Sequence, residues 1–193
     1  MQTLIIVDLE ATCQADDPDY EKEIIEIGAI KVVDGYIKDE FDVFVKPKKN
    51  PILSDYCKNL THITQEDVDN GLSPREAIDK FYKWATNNFT ENVTYCSWGG
   101  FDKKELYREA RMNHFNYIYL NEINKKHYNL KRIYAKVLGL KRQLGTLNAL
   151  KREGLAFDGS NHRAIDDVKN IYKIYMSQKS KINRYFEQRR IHL

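Results

Sequence analysis

The sequence Thr3-Leu-Ile-Ile-Val-Asp8 is a short apolar run that is rich in β-branched residues and ends in an acid. Such a run predicts a buried strand that emerges at an edge of a sheet. Two further apolar segments, 24–33 and 36–45, flank Asp34-Gly35, a dipeptide that is typical of a two-residue hairpin turn. The front of the chain therefore predicts three strands that are joined locally.

A helix is predicted to begin just after Ser73. The segment Ser73-Pro-Arg-Glu76 combines a capping box with proline at the first helical position. Apolar residues then recur at helical spacing: Ile78, Phe81, Tyr82, Ala85 and Phe89.

Strand and helix patterns alternate through the rest of the chain. The predicted elements are a strand at 93–97, a helix near 101–113, a strand at 117–120, and helices near 129–138, 146–153 and 162–177. With the three local strands, this order predicts an α/β domain with a mixed sheet. We expect the domain to span residues 1–180, and a basic tail, 181–193, to fray or lie on the surface.

Composition favours one globular domain that works in a reducing compartment. The chain has 193 residues, of which 42% are hydrophobic and 31% are charged. It has no apolar run near the length of about 18 residues that suggests a membrane span. Cys13, Cys57 and Cys96 are odd in number and widely spaced. This pattern predicts reduced thiols in a cytoplasmic protein.

Charge is distributed unevenly along the chain. Residues 1–120 carry 14 Lys/Arg against 22 Asp/Glu, whereas residues 121–193 carry 17 against 6. An acidic front half can hold metal ions and a basic back half can attract a polyanion, although two solvated faces of different charge explain the same pattern. Four basic pairs can follow a phosphate backbone if they share one face: Lys125-Lys126, Lys131-Arg132, Lys141-Arg142 and Lys151-Arg152.

Four carboxylates occupy positions that can converge on one crevice. Asp8 and Glu10 lie two residues apart at the end of the first predicted strand, so their side chains project to the same side. Asp102 follows Gly99-Gly100 near the start of a predicted helix, and Asp167 lies on the last predicted helix. Taken singly, each acid is more often a surface charge or a helix cap than a ligand. Strand ends and helix starts, however, are where α/β sheets place their sites.

Converging acids repel one another, so such a site makes sense if cations fill it. Ligands that are all oxygen favour Mg²⁺ or Mn²⁺, and a pair of these ions suits in-line displacement at phosphorus. His162, five residues before Asp167, supplies a group that can take a proton near neutral pH. An exposed histidine near a helix start is the alternative interpretation.

Three segments resemble the motifs of a known enzyme family. Asp8-Leu-Glu-Ala-Thr12, Trp98-Gly-Gly-Phe-Asp102 and His162-Arg-Ala-Ile-Asp-Asp167 resemble, in order, the three motifs of the DEDD 3'-to-5' exonucleases of the histidine subclass. The segments Leu60-Thr-His-Ile-Thr64 and Ile165-Asp-Asp-Val-Lys-Asn-Ile171 are similar to one branch of that family. This branch contains the histone-mRNA and small-RNA exonucleases and the bacterial KapD-like proteins.

The resemblance, which spans roughly residues 3–177, implies a fold, an activity and roles for individual residues. It implies a ribonuclease H-like fold with a mixed five-stranded sheet that is flanked by helices. Asp8, Glu10, Asp102 and Asp167 would bind two Mg²⁺ or Mn²⁺ ions, and His162 would be the general base. The residues that would contact the terminal nucleotide are Leu9, Ala11, Thr12, Thr61, His62 and Ile63. Asp166 is a rival to Asp167, which alone keeps the spacing of the family from His162.

The predicted substrate is nucleic acid with a free 3' end, and single-stranded RNA is expected. Trp98, Tyr95 and Phe101 can stack on unpaired bases. Proofreading members of the family often have Asn where this chain has Trp98, which weakens a DNA-directed assignment. A non-cleaving binding module has no need for clustered acids that face a phosphate. A phosphoacceptor signalling domain also places acids after its first strand, but requires no histidine beside a late aspartate.

Overall fold

A computed structural model describes residues 3–15, 17, 20–86, 93–115 and 127–190. Within these residues one sheet contains β1 (Thr3–Ala11), β2 (Ile24–Val33), β3 (Tyr36–Phe44), β4 (Val93–Ser97) and β5 (His127–Asn129). The order across the sheet is β3-β2-β1-β4-β5. The first three strands are antiparallel, and β4 and β5 continue the sheet in parallel with β1. The predicted mixed five-stranded sheet is confirmed.

The predicted hairpin between β2 and β3 is also confirmed. Asp34 has a φ of 52° and Gly35 a φ of 95°. Both angles lie in the left-handed region that a two-residue turn of type I′ requires, and Asp-Gly reaches it at low cost. The predicted strand at 117–120 lies outside the described residues, and the fifth strand described is β5.

Helices cover both faces of the sheet. They are α1 (Asp55–Thr61), α2 (Gln65–Asp69), α3 (Pro74–Thr86), α4 (Phe101–Met112), α5 (Leu130–Val137), α6 (Thr146–Arg152), α7 (Ala164–Ser177) and α8 (Lys179–Arg190). The predicted capping box of α3 is confirmed, because Glu76 Oε2 accepts the Ser73 backbone N–H at 3.0 Å and the Glu76 backbone N–H donates to Ser73 Oγ. Phe89 lies outside the described residues.

Strand β1 is central and is buried on both faces. Ile5, Val7 and Leu9 belong to a cluster with residues of α3 and α4. Leu4 and Ile6 project to the opposite face and pack against α5, α7 and α8. Burial on both faces explains why the sequence of β1 is continuously apolar rather than alternating.

Residues 181–190 are helical in the structure, where the sequence predicted a basic tail that frays or lies on the surface. They belong to α8, where Ile182 and Phe186 are each 1% exposed. These residues are four positions apart, so they form one apolar stripe that the basic composition of the segment conceals. The domain boundary at residue 180 stays a prediction. Among the described helices, none is both long enough and apolar enough to cross a membrane.

Candidate active site

Three of the four predicted metal ligands meet where β1 ends. Asp8 and Glu10 lie two residues apart on β1, and Asp167 lies in the first turn of α7. Each offers a carboxylate oxygen, and these oxygens all lie within 4.8 Å of one another. This acidic cluster has the ligand type and the spacing that a divalent cation requires.

Asp102 lies at the same cavity as the acidic cluster. It occupies the first turn of α4 and is 6% exposed. Hydrogen bonds from the Leu9 backbone N–H and the Ser97 side chain hold its carboxyl group. Gly99, three residues earlier, has a φ of 147° that favours glycine. The cavity has a volume of about 500 Å³, a size typical of ligand sites.

Burial is the largest cause of a raised pKa at each of the four carboxyl groups. It raises the pKa of Asp8 well above its ordinary value, and the charge of Asp102 is the next cause. Burial, followed by the charge of Asp167, raises the pKa of Glu10 to about 8. The pKa values of Asp102 and Asp167 are each raised to about 6. Acids that resist joint ionisation in this way are stabilised when a cation lies between them.

His162 lines the cavity beside these acids. Its backbone has a φ of 64°, and its N–H donates to Asp167 Oδ2 at 2.9 Å. Partial burial, and then the charge of His62, lower the pKa of the imidazole below 6.5. This shift favours the neutral ring, which is able to accept a proton. Because His162 adopts this conformation, α7 begins at Ala164 rather than at residue 162.

The structure distinguishes Asp167 from its rival Asp166. The Asp166 carboxylate accepts the Ser160 backbone N–H at 2.8 Å and lies against Gly159, so it holds the turn before α7. The Asp167 carboxylate belongs to the acidic cluster. Asp167, the residue that the motif spacing favours, is therefore the one that lines the cavity.

Three of the predicted substrate contacts line the cavity, namely Leu9, Trp98 and Phe101. The Phe101 side chain is 42% exposed and is available to a ligand. Stacking by Tyr95 was a wrong prediction, because its ring is 1% exposed and packs in the core. The Trp98 indole is partly engaged, because its Nε1–H donates to the Leu144 carbonyl at 3.1 Å and its ring packs against Tyr134. Trp98 therefore also holds the chain segment that follows α5.

The other predicted substrate contacts lie outside the cavity lining, and their role stays a prediction. They are Ala11, Thr12, Thr61, His62 and Ile63. Thr12 Oγ1 accepts the Glu23 backbone N–H at 2.9 Å, and the Thr61 hydroxyl donates to the Cys57 carbonyl at the same distance. Ile63 is fully buried. His62 is exposed and close enough for its charge to lower the pKa of His162.

Comparison with known proteins identifies the family to which this site belongs. The profile of the exonuclease family (RNase_T) matches residues 5–175, a span that contains the acidic cluster, Asp102 and His162. A structural neighbour of the whole domain, described below, is itself a DEDDh family member. The chain belongs to the DEDDh family of 3'-to-5' exonucleases.

Named relatives of this exonuclease come from bacteria and animals. "Probable 3'-5' exonuclease KapD" of Bacillus subtilis (strain 168) is 30% identical over 176 residues, which are 90% of this chain and 82% of that protein. "3'-5' exonuclease Snipper" of Drosophila melanogaster is 33% identical over 196 residues, which cover 87% and 66%. "3'-5' exoribonuclease 1" of Homo sapiens is 30% identical over 181 residues, and the exonuclease spans only 50% of that protein.

Solved structures show the same fold. The nuclease domain of 3'hExo, a DEDDh family member bound to rAMP, matches with a TM-score of 0.84 and 28% identity over 93% of this chain and 92% of that domain. A 3'-exonuclease that recognises the histone mRNA stem-loop matches with a TM-score of 0.84 and 27% identity, over 92% of this chain and 63% of that chain. The predicted ribonuclease H-like fold is confirmed.

The residues of this exonuclease fit the divalent metal ions that the DEDDh family uses. The acidic cluster and Asp102 offer only oxygen ligands. Their raised pKa values show that, without a cation, these buried negative charges are poorly compensated. Hard cations with oxygen ligands are the expected partners of such a group.

Without metal, the folded exonuclease is expected to lose stability as the pH rises. The pKa of Glu10 is raised from 4.5 to about 8, so between these values the folded state holds a proton that the unfolded state has released. The resulting stabilisation is complete below the lower value and is lost as the pH rises through the higher one. Each such group contributes about 1 kcal/mol per pH unit, or about 2–4 °C in Tm.

Thermal melts in EDTA between pH 5 and pH 8 measure this effect. The Tm is expected to fall with pH, and excess Mg²⁺ is expected to weaken the fall. A Tm in EDTA that rises steadily over this range would show that the acids are not raised in pKa.

One wall of the cavity was not predicted from the sequence. It is formed by Gly145, Thr146, Leu147 and Asn148, at the start of α6, together with Asn161. None of these residues is of a type that marks a metal or proton-transfer site. The structure marks this wall through Leu147, an apolar side chain that is 52% exposed while Ala149 and Leu150 form the buried side of α6.

Glu26, also missed, fixes the start of α7 to the sheet. It lies on β2 and is fully buried. Its Oε1 accepts bonds from Arg163 Nε at 3.2 Å and Nη2 at 3.1 Å, and its Oε2 accepts the Ala164 N–H at 2.9 Å. Arg163 and Ala164 lie between His162 and Asp167, so Glu26 sets where both of these cavity residues stand. The sequence did carry a signal for this role, because Glu26 is an acid within an otherwise apolar strand.

Replacing Glu26 with Ala is expected to destabilise the exonuclease by about 3 kcal/mol, because Arg163 loses its buried partner. Urea unfolding measures the change. The matched control is Glu40→Ala, which removes an ion pair between β3 and Lys169 of α7 at 2.8 Å. Both side chains of that pair are well exposed, so the control is expected to cost about 0–1 kcal/mol. Equal losses in the two variants would contradict the role of Glu26.

Proposed function

We propose that this exonuclease removes nucleoside 5'-monophosphates one at a time from the 3' end of single-stranded RNA. The observation that carries the proposal is the convergence of four carboxylates and His162 on one cavity. The exposed ring of Phe101 in the same cavity supports an unpaired substrate, because an aromatic ring stacks on a base that is free of its neighbours.

Asp8, Glu10, Asp102 and Asp167 are proposed to hold two Mg²⁺ or Mn²⁺ ions. When bound, two such ions activate a water molecule and stabilise the leaving oxygen of an in-line displacement at phosphorus. The chain contributes the fixed positions of the four carboxylates, two of them on β1 and one on each of α4 and α7. Asp102 and Asp167 are buried and Asp8 and Glu10 are partly buried, which limits the access of bulk solvent to the oxygen ligands.

His162 is proposed to accept the proton of the attacking water. Partial burial lowers the pKa of its imidazole, which favours the neutral form that a general base requires. The bond from its backbone N–H to Asp167 fixes the residue beside the acidic cluster. General-base catalysis requires this combination of a free ring nitrogen and a defined position.

The terminal nucleotide is proposed to contact Leu9 and Phe101, which line the cavity, and Trp98 beside them. Of residues 61–63, His62 is the one with an exposed side chain, and it lies near His162. We therefore propose that His62 meets the terminal sugar. We propose that four further residues shape this side of the site from below the cavity surface: Ala11, Thr12, Thr61 and Ile63.

RNA rather than DNA is favoured by the relatives and by Trp98. The human relative is named an exoribonuclease, and two of the matched solved structures contain rAMP or concern histone mRNA. Trp98 occupies the position where proofreading members of the family often have Asn. We also propose a cytoplasmic location, because Cys13, Cys57 and Cys96 are free thiols in the structure.

The substrate class is tested by the cutting rates of RNA and DNA oligonucleotides of one base order, each with Mg²⁺. We expect RNA to be shortened faster, and a 3'-phosphate to block the reaction on either strand. Faster shortening of DNA would indicate a DNA-directed exonuclease instead. Tight binding without cutting of either strand would indicate a binding module.

A further inference from the structure

A three-residue turn, Lys141-Arg142-Gln143, stands beside the cavity and is here named the basic turn. The residues at its two ends are fixed. The Leu140 N–H donates to the Ala135 carbonyl at 2.9 Å, and the Leu144 carbonyl accepts the Trp98 indole N–H at 3.1 Å. Leu140 and Leu144 both pack in the cluster beneath. The three residues of the basic turn are exposed. The turn therefore presents two cations to solvent from a segment whose two ends are fixed.

The basic turn adjoins the cavity wall along the chain. Leu144 separates it from Gly145, the first residue of that wall. Arg142 and Gly145 are three residue steps apart, and such a segment spans at most about 11 Å. A strand whose 3' end occupies the cavity and that leaves along this wall would pass within reach of both cations.

The two cations have no acidic partner within the described residues. Some other surface lysines do have such partners, for example Lys49 with Glu21, Lys58 with Asp55, and Lys83 with Asp79. The cavity floor, by contrast, carries four acids that repel a polyanion. Unpaired cations at its edge offset this repulsion and attract phosphates. Of the other basic pairs in this half of the chain, Lys125-Lys126 lies outside the described residues.

We infer that the basic turn binds the RNA phosphates immediately upstream of the terminal nucleotide. This inference rests on the proposed function and names a second contact region for the same substrate. It assigns Lys141 and Arg142 to affinity for the strand, while the acidic cluster acts on the terminal phosphodiester. Substrates that are too short to reach the basic turn gain little affinity from it.

The salt dependence of binding measures these contacts. Each phosphate contact to a single strand contributes about 0.7 to the slope of log affinity against log salt. Two contacts therefore contribute about 1.4 to this slope. Between 50 and 200 mM salt, a protein that makes both contacts loses about sevenfold more affinity than one that makes neither. The variant for the test is Lys141→Gln with Arg142→Gln, which removes both charges.

The experiment compares this double variant with the unmodified exonuclease on a 12-nucleotide RNA and on a dinucleotide. We expect kcat/KM for the long RNA to fall several times more than that for the dinucleotide, and its salt slope to become shallower by about 1.4. The matched control is Arg75→Gln with Lys80→Gln, which removes two exposed cations from α3 on the opposite face of the sheet. It is expected to leave the slope unchanged.

An unaltered slope in the double variant would overturn the inference, as would an equal change in the control. If the unmodified protein cuts no RNA, the proposed function fails separately. The slope is then measured from fluorescence anisotropy of the labelled RNA in EDTA, and a shallower slope in the double variant would still support the basic turn.

Discussion

Replacing Asp8 with Asn is expected to lower the rate of RNA hydrolysis by at least about a thousandfold, because stabilisation of transition-state charge by a metal ion contributes several kcal/mol. Asp8 lies within the acidic cluster, and burial raises its pKa well above the ordinary value. The change keeps the shape of the side chain but removes one negative charge from groups that repel one another. The variant is therefore also expected to melt at a higher Tm than the unmodified protein in EDTA, and to gain less stability from Mg²⁺.

The control for this prediction is Asp79→Asn on α3. Asp79 forms a surface ion pair with Lys83, and its helix packs on the other face of the sheet. Its replacement is expected to leave the rate unchanged. If Asp8→Asn cut RNA at the full rate with the same metal requirement, the assignment of the acidic cluster would be wrong.

Replacing His162 with Asn is expected to lower the rate by about 10²–10⁴-fold, the usual contribution of a general base. Asn tolerates the left-handed conformation that His162 adopts at a φ of 64°, so the fold is retained. Since the imidazole is outside the acidic cluster, the midpoint of a Mn²⁺ titration is expected to stay the same. The pH–rate profile is expected to lose the rise that accompanies deprotonation of the ring, whose pKa is lowered by partial burial.

His114→Asn is the matched control for this change. His114 is exposed at the end of α4 and also has a positive φ, 51°, so the substitution carries the same backbone requirement. Its rate and its pH profile are expected to be those of the unmodified protein. An unchanged pH–rate profile in His162→Asn would show that another group accepts the proton.

The parts of the fold that follow from local patterns were predictable from sequence. The apolar run of β1, the Asp34-Gly35 turn and the Ser73 capping box each specify their own conformation through residues that are neighbours in the chain. The convergence of Asp8 and Glu10 was also predictable, since side chains two apart on a strand share a face. Placement of Asp167 beside them required the family motif, because no local rule brings α7 to β1.

Features that depend on tertiary packing were not predictable in the same way. The cavity wall at Gly145–Asn148 is carried there by the packing of Leu144 and Trp98, which lie far apart in sequence. Glu26 pairs with Arg163 across 137 positions, so neither residue signals the other. The apolar stripe of α8 was hidden by its basic composition. In each case the decisive contact joins segments that are distant in the chain, and neither segment carries a local pattern that predicts the contact.

The most direct test of this account is a time course on a 5'-labelled single-stranded RNA, with Mg²⁺ and with EDTA. We predict a ladder that shortens progressively from the 3' end when Mg²⁺ is present, and intact RNA in EDTA. Shortening that persists in EDTA, or internal cuts without a 3' ladder, would contradict a metal-dependent 3'-to-5' exonuclease built on Asp8, Glu10, Asp102 and Asp167.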